Sequence, residues 1–203
     1  MYAQTRNETS EYKEVYIIMK PYTILEEKPI PYFDHGKKLS TTVKNSSARR
    51  GMSPLAFAWR KFRNIVLYRL AYLCPFNGLR IKMHRKRGIT IGENVYIGQL
   101  CNLDNAYPEY IYIEDNVSLA GEISVVAHSN PFPHFANVIE SRVAPIVIKE
   151  GAWVGVKATV LLGVTIGKNA IVSAGTVVDK NVPDCTLVKG NPMKKISNFE
   201  SLI

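Results

Sequence analysis

The side chains best suited to chemistry near neutral pH are few: four histidines, His35, His84, His128 and His134, and three cysteines, Cys74, Cys101 and Cys185, in 203 residues. The cysteines lie far apart, are odd in number and form no C-x-x-C pair, which speaks against a disulfide framework and against a thiolate zinc site. His128 opens a proline-rich stretch, Ser129 to Ala144, that holds Pro131 and Pro133 and is followed by Pro145; His134 lies six residues further on, inside it. An imidazole titrates close to working pH and can remove a proton from a hydroxyl. On spacing alone, a histidine at a loop edge is more often structural or merely exposed. His35 and His84 carry no functional sign.

Charge is the second candidate for function, with a formal net of +9. Its distribution is local. Between Arg49 and Arg87 stand 11 of the 26 Lys and Arg and no acid, leaving 15 basic residues against all 17 acids elsewhere, a net of −2. Any partner that is a polyanion must therefore meet that segment.

The elements that position these groups fall into three stretches. Residues 1–52 form an extension of uncertain order, with Val15 to Met19 reading as a short strand or helical turn and Ser40 to Ser47 as a linker or loop. Residues 53–88 read as a basic amphipathic helix and linker. Ser53 suits the cap, Pro54 the first helical position, and Leu55, Trp59, Phe62, Val66, Leu70 and Leu73 recur at spacings of three and four up to a stop near Pro75 to Gly78.

Residues 89–203 hold a repeat of period six. Ile148, Val154, Val160, Ile166, Val172 and Val178 are its apolar positions, each preceded by two residues by a small or β-branched one: Ile146, Ala152, Ala158, Val164, Ala170 and Thr176. Three residues after each comes Gly151, Lys157, Gly163, Asn169, Gly175 or Asn181, five of the six being types that tolerate a left-handed backbone. A short strand and a bend every six residues wind a chain into a prism with its aliphatic positions stacked inside. Adding residues 91, 97, 103, 113, 119 and 125 gives 12 rungs, or four triangular coils, interrupted by an expansion around Asn102 to Tyr110 and by the loop from Ser129 to Ala144. The fold class is thus all-β: a parallel β-helix of about four coils with a mostly helical N-terminal extension.

The stretches G-A-W-V-G at Gly151 to Gly155, G-V-T-I-G at Gly163 to Gly167, S-A-G-T-V-V at Ser173 to Val178 and G-N-P-M-K-K-I at Gly190 to Ile196 resemble the hexapeptide-repeat acyltransferases with a left-handed β-helix, in the branch of galactoside, maltose and polysaccharide O-acetyltransferases. Met193 departs mildly from that pattern. The resemblance implies a homotrimer that transfers an acetyl group from acetyl-CoA to an acceptor hydroxyl, without a metal, in a site between subunits. It makes His128 the general base and a backbone N–H the oxyanion donor.

The same resemblance assigns Asn102 to orienting the acceptor, with a turn asparagine as the equal alternative. His134 becomes a possible acceptor contact, against an ordinary exposed histidine. Trp153 becomes a flat apolar wall for a sugar or pantetheine, against simple packing on the prism's outside. Gly155 and Ala174 match places where a small residue admits the pantetheine amides, and Lys180 and Lys194 match basic positions near the nucleotide, each lysine otherwise being a solvated charge.

Three readings compete for residues 54–87: a cap over the open first coil, a peripheral contact with an anionic membrane, and nucleic-acid binding. Capping comes first because solenoids must cover their terminal core; the last is excluded as a partner, since no recognised module is visible. The chain shows neither a secretory start nor a spanning run, so the expected place is the cytoplasm, with the inner membrane face as an extension of that expectation. The expected acceptor is a sugar in surface polysaccharide or glycan assembly; an amino sugar, serine or an antibiotic are alternatives, as is a non-catalytic scaffold. A zinc enzyme of the γ-carbonic anhydrase type is disfavoured, because His128 and His134 lack a third histidine in the preceding coil.

Overall fold

The structure is a computed structural model that describes residues 22–32, 39–49 and 51–202; Val15 to Met19 lie outside the described residues. The period-six positions wind into a left-handed parallel β-helix. Side one of the prism stacks Thr90–Ile91, Ile111–Ile113, Ile146–Ile148 and Thr165–Ile166 in parallel. Side two stacks Tyr96–Ile97, Ser118–Leu119, Trp153–Val154 and Ile171–Val172, and side three Asn102–Leu103, Ser124–Val126, Thr159–Leu161 and Val177–Val178. The register pairs Ile91, Ile113, Ile148 and Ile166 in one interior column, and the equivalent residues of the other sides likewise. All 12 rung positions are buried, as are all six residues two places before the later rungs. Burying each such aliphatic side chain contributes ~1.5–3 kcal/mol, so the column supplies most of the coil's cohesion. A partial fifth coil, Thr186–Lys189, is closed by the antiparallel strand Lys194–Asn198.

The bends obey their column more than their residue type. At the corner between sides two and three, Leu100, Glu122, Lys157 and Gly175 all have φ of 60–66°. Each bend N–H from Glu122 onward donates to the coil before it, from Glu122 to Gln99, Lys157 to Gly121 and Gly175 to Val156. Stacking therefore imposes the left-handed turn even on Lys157. Asn181, expected to take that conformation, does not, although Gly163 at the same corner of the preceding coil has φ of 77°; the Asn181 Oδ1 instead accepts the Thr165 N–H at 2.8 Å. Asn102 also lies within a strand, so the expansion begins only after Leu103.

The segment before the prism is two helices rather than one helix and a linker. Helix α1 (Leu39–Arg49) occupies the polar run read as a loop, packed against α2 (Pro54–Leu73); α3 (Asn77–Arg87) follows after a break at Cys74 to Phe76. Ser53 caps α2, accepting the Ala56 N–H at 3.2 Å. The apolar stripe of α2 faces away from the protein: Leu55 is 82% exposed, Leu73 70% and Trp59 65%. Its buried residues are Asn64, which lies beside Asn105 and Ala106, and Ala71, which packs with Met83 of α3.

Covering the first coil falls to α3, and it does so with polar groups. An end coil has carbonyls with no coil above them, and buried carbonyls left unpaired are costly. Arg80 donates to Ile97 O (2.7 Å), Arg85 to Ile91 O (3.1 Å) and Gly92 O (2.5 Å), and Arg87 to Leu103 O (3.0 Å) and Asp104 O (2.6 Å). Asn77 adds a donor to Val95 O and an acceptor for Ile97 N–H, both at 3.0 Å. Part of the positive charge read from the sequence thus serves the edge of the prism.

Candidate active site

After Val126 the chain leaves the prism at the corner between sides three and one. Ala127 is buried, and His128–Ser129 pairs antiparallel with Arg142–Val143, which closes the base of the intervening loop. The extended segment Lys28–Pro29 pairs with the other edge of Arg142–Val143, and Glu27 forms an ion pair with Arg142. His128 is thereby held on backbone at the rim of a rigid coil, with its side chain 28% exposed.

Its partner is Asp104, a residue the sequence reading did not single out. Asp104 follows Leu103, which is in register with Val125, so the next coil brings the carboxylate beside His128: Oδ2 lies 2.5 Å from Nδ1. Oδ1 also accepts the Ala106 (2.7 Å) and Tyr107 (3.0 Å) N–H groups, and Oδ2 the Ala127 N–H (2.9 Å). Burial works against the carboxylate, but the hydrogen bond and charge of His128 with the Tyr107 and Ala106 donors outweigh it, and the pKa lies below the usual Asp value. An ionised Asp104 favours a proton on Nδ1 of His128, which leaves Nε2 as the nitrogen that can accept one. The Tyr107 ring stands 5.3 Å from the imidazole. This arrangement can take a proton from a hydroxyl and stabilise the imidazolium that results.

The helices support the dyad from behind. Arg87 binds the Leu103 and Asp104 carbonyls while its guanidinium lies 5.0 Å from the centre of the Tyr68 ring, and the Tyr68 hydroxyl donates to Asn102 Oδ1 at 3.0 Å. Asn102 is thus two residues before Asp104, in the strand that leads to it, exposed, with its side-chain oxygen engaged by α2. His134 sits in the short helical turn Pro133–Phe135 of the loop, exposed and set between the rings of Phe132 and Phe135, at 6.0 and 4.1 Å.

The other candidates lie elsewhere on the prism. Trp153 is on the outside of side two, 53% exposed, in register with Ser118 and Ile171. The corner that carries His128 does not border that side, so the two do not meet within one protomer. Gly155 and Ala174 stack on each other at the corner between sides two and three. A methyl on Gly155 would stand 2.6 Å from the Ala174 nitrogen and 2.8 Å from the Val172 oxygen, so coil stacking alone demands glycine here. Gly155→Ala should therefore cost about 2 kcal/mol, lowering Tm by roughly 4–8 °C, whatever its effect on a ligand; an unchanged melting curve would show that the coils can part there.

Lys180 and Lys194 are both exposed near the last coil. Lys189, which the sequence reading passed over, is in direct register with Lys194. Like charges opposite each other are unfavourable unless an anion joins them. The turn between these strands contains a cis peptide at Asn191–Pro192. Among the described residues no three His, Cys, Asp or Glu side chains are grouped as for a metal ion, and the three cysteines are free thiols.

Coils of six-residue sides stacked in this register define a left-handed β-helix of the hexapeptide-repeat class. The pattern described as "Hexapeptide repeat of succinyl-transferase" matches residues 145–180. The Bacillus subtilis protein YvoF, which carries an acetyltransferase name, is 30% identical over 141 residues, 69% of this chain and 78% of YvoF. The chain belongs to the hexapeptide-repeat acetyltransferase family. It spans 56% of the length of further relatives from yeasts and Staphylococcus aureus. In fold it is similar to the Vibrio cholerae hexapeptide-repeat acetyltransferase VCA0836 complexed with acetyl coenzyme A (TM-score 0.59, 22% identity, 71% of this chain and 90% of that one). It is also similar to a maltose O-acetyltransferase from Clostridium difficile (TM-score 0.56, 24% identity, 70% and 87%).

Proposed function

We propose that this protein moves the acetyl group of acetyl-CoA to a hydroxyl of a sugar, in the assembly of a surface polysaccharide or glycan, with His128 as general base. The observation that carries the reading is the 2.5 Å contact between His128 Nδ1 and the buried Asp104 carboxylate. The acceptor proton passes to Nε2, the acceptor oxygen forms a bond to the thioester carbon, and a backbone N–H stabilises the oxyanion. Collapse breaks the C–S bond, and the imidazolium returns its proton to the departing sulfur. The products are an O-acetyl sugar and coenzyme A, and no acyl-enzyme forms. The maltose O-acetyltransferase among the similar structures supports a sugar acceptor, and the acetyl coenzyme A held by VCA0836 supports the donor.

Asn102 orients the acceptor beside the dyad, with His134 on the loop as a second contact. Trp153, Gly155, Ala174, Lys180 and Lys194 serve the donor groove, with Lys189 beside Lys194 for the phosphates. Because Trp153 and His128 are on different parts of one prism, a site that uses both needs two protomers, which favours the homotrimer. Acetyl-CoA at a hundredfold excess over Kd should stabilise the protein by about 2.7 kcal/mol, and thiol should appear on adding simple glycosides, nucleotide sugars or lipid-linked glycans. A melting curve that ignores both acetyl-CoA and coenzyme A would support a scaffold instead. Thiol release only with amino sugars or serine would move the acceptor to nitrogen or to an amino acid.

A further inference from the structure

The outer face of α2 has no role in the acetyl-transfer site. Leu55, Trp59, Phe62, Val66, Leu70 and Leu73 are 39–82% exposed. At the turn of an α-helix they fall within an arc of about 80°, opposite the buried Asn64 and Ala71. Arg63 and Arg69 flank that arc on either edge, and both are exposed. Residues 35–92 contain neither Asp nor Glu.

Each simpler occupant satisfies only half of this surface. A second copy docking helix to helix would bury the apolar arc but set one acid-free basic face against another. A nucleic acid would neutralise the charge but leave Leu55, Trp59 and Phe62 in water. Hydrocarbon beneath a plane of anionic headgroups satisfies both. At 20 residues α2 is long, yet no helix of the described residues is apolar enough to cross a membrane.

We propose that α2 is a membrane-docking helix that lies in the interface of an anionic lipid bilayer. Trp59 and Phe62 enter the acyl boundary, and Arg63 and Arg69 meet the phosphates. Because this face is remote from the acetyl-transfer chemistry, it stands or falls separately from the proposed function.

The full chain tests it by co-sedimentation with phosphatidylcholine vesicles and with vesicles that also contain phosphatidylglycerol. Binding is expected only to the second, weakening roughly fivefold for each of Arg63→Gln and Arg69→Gln and at least about tenfold for a Trp59→Ser/Phe62→Ser/Leu70→Ser variant. All three positions are exposed, so this variant should keep the wild-type Tm. In a Trp153→Phe background, Trp59 is the sole tryptophan of the chain, and its emission should shift to the blue with anionic vesicles. No sedimentation, equal sedimentation with neutral lipid, or an unmoved Trp59 spectrum overturns the proposal. So does a triple variant that alters the molar mass in solution while the parent ignores vesicles, since that would make the face a contact between copies.

Discussion

Replacing His128 by Ala should leave a folded protein that coenzyme A still stabilises but whose kcat for acetyl transfer is about 10²–10⁴-fold lower, the usual contribution of a positioned general base. The expectation rests on the geometry of one pair. Asp104 contacts Nδ1 and remains ionised, so the lone pair that could accept a proton is on Nε2 of a part-exposed residue anchored by the strand His128–Ser129. Removing the imidazole removes the proton acceptor without touching the column of buried aliphatics that holds the coil.

Asp104→Asn should act through the same histidine, lowering kcat with little change in KM for the acceptor. The amide cannot accept all four of the hydrogen bonds that Asp104 now receives from Ala106, Tyr107, Ala127 and His128, so some loss of stability should accompany it. Steady-state kinetics with thiol detection, alongside a coenzyme A melting shift, separates the two effects. A His128→Ala protein within about tenfold of wild-type kcat would assign the proton to another group.

The second large effect concerns acid. His84 is fully buried in α3, its Nδ1 is 2.8 Å from Arg87 Nη1, and its Nε2 has no hydrogen-bond partner among the described residues. Burial, and then the charges of Arg87 and Arg80, push its pKa down from 6.5 to about 3. Below pH 6.5 the unfolded chain therefore takes up a proton that the folded one refuses until about pH 3. The corresponding stability is complete above pH 6.5 and is lost as pH falls toward 3, at about 1.4 kcal/mol per pH unit.

Denaturant unfolding at pH 7 and pH 5 should thus differ by about 2 kcal/mol in the wild type, and by much less in His84→Gln. The Asp104 contribution, whose pKa is depressed, is retained until pH falls below the ordinary Asp value of 3.8 and does not confuse this window. Equal slopes in wild type and variant would mean that His84 reaches water or gains a proton acceptor. Because Arg87 also binds the Leu103 and Asp104 carbonyls, the same acid transition should loosen the strand that carries Asn102 and Asp104.

The prism itself was legible because every rung reports on itself. A six-residue side cannot bury its aliphatic position unless that position recurs in phase, so the 12 rung residues and the two interruptions could be marked from spacing, whereas the closing G-N-P stretch was marked by its resemblance to the hexapeptide-repeat acyltransferases. The place of His128, where a rung ends and a loop begins, was legible in the same way, while the role proposed for it came from the resemblance. Asp104 was not. It lies inside an expansion where the period lapses, and only the register of Leu103 with Val125 carries it across a 24-residue separation to the imidazole.

The helical layer shows the opposite failure. The spacing of Leu55, Trp59, Phe62, Val66, Leu70 and Leu73 announced an apolar face correctly, and the segment 54–87 does cover the first coil, but it does so through α3, while the stripe on α2 faces outward. A stripe says that a helix has an apolar face; it does not say what meets it. The polar run Ser40 to Ser47 became helical in α1 against its weak local preference, since docking on α2 outweighs propensity.

Lys157 takes a left-handed bend that its type disfavours, because the coils stacked on it determine the turn. Sequence alone thus determined the coil, its core and the loop-edge histidine, all consequences of a local period. Tertiary structure decided the carboxylate behind that histidine, the use of Arg80, Arg85 and Arg87 as edge caps, and the outward aim of α2, because each depends on which distant surface arrives opposite.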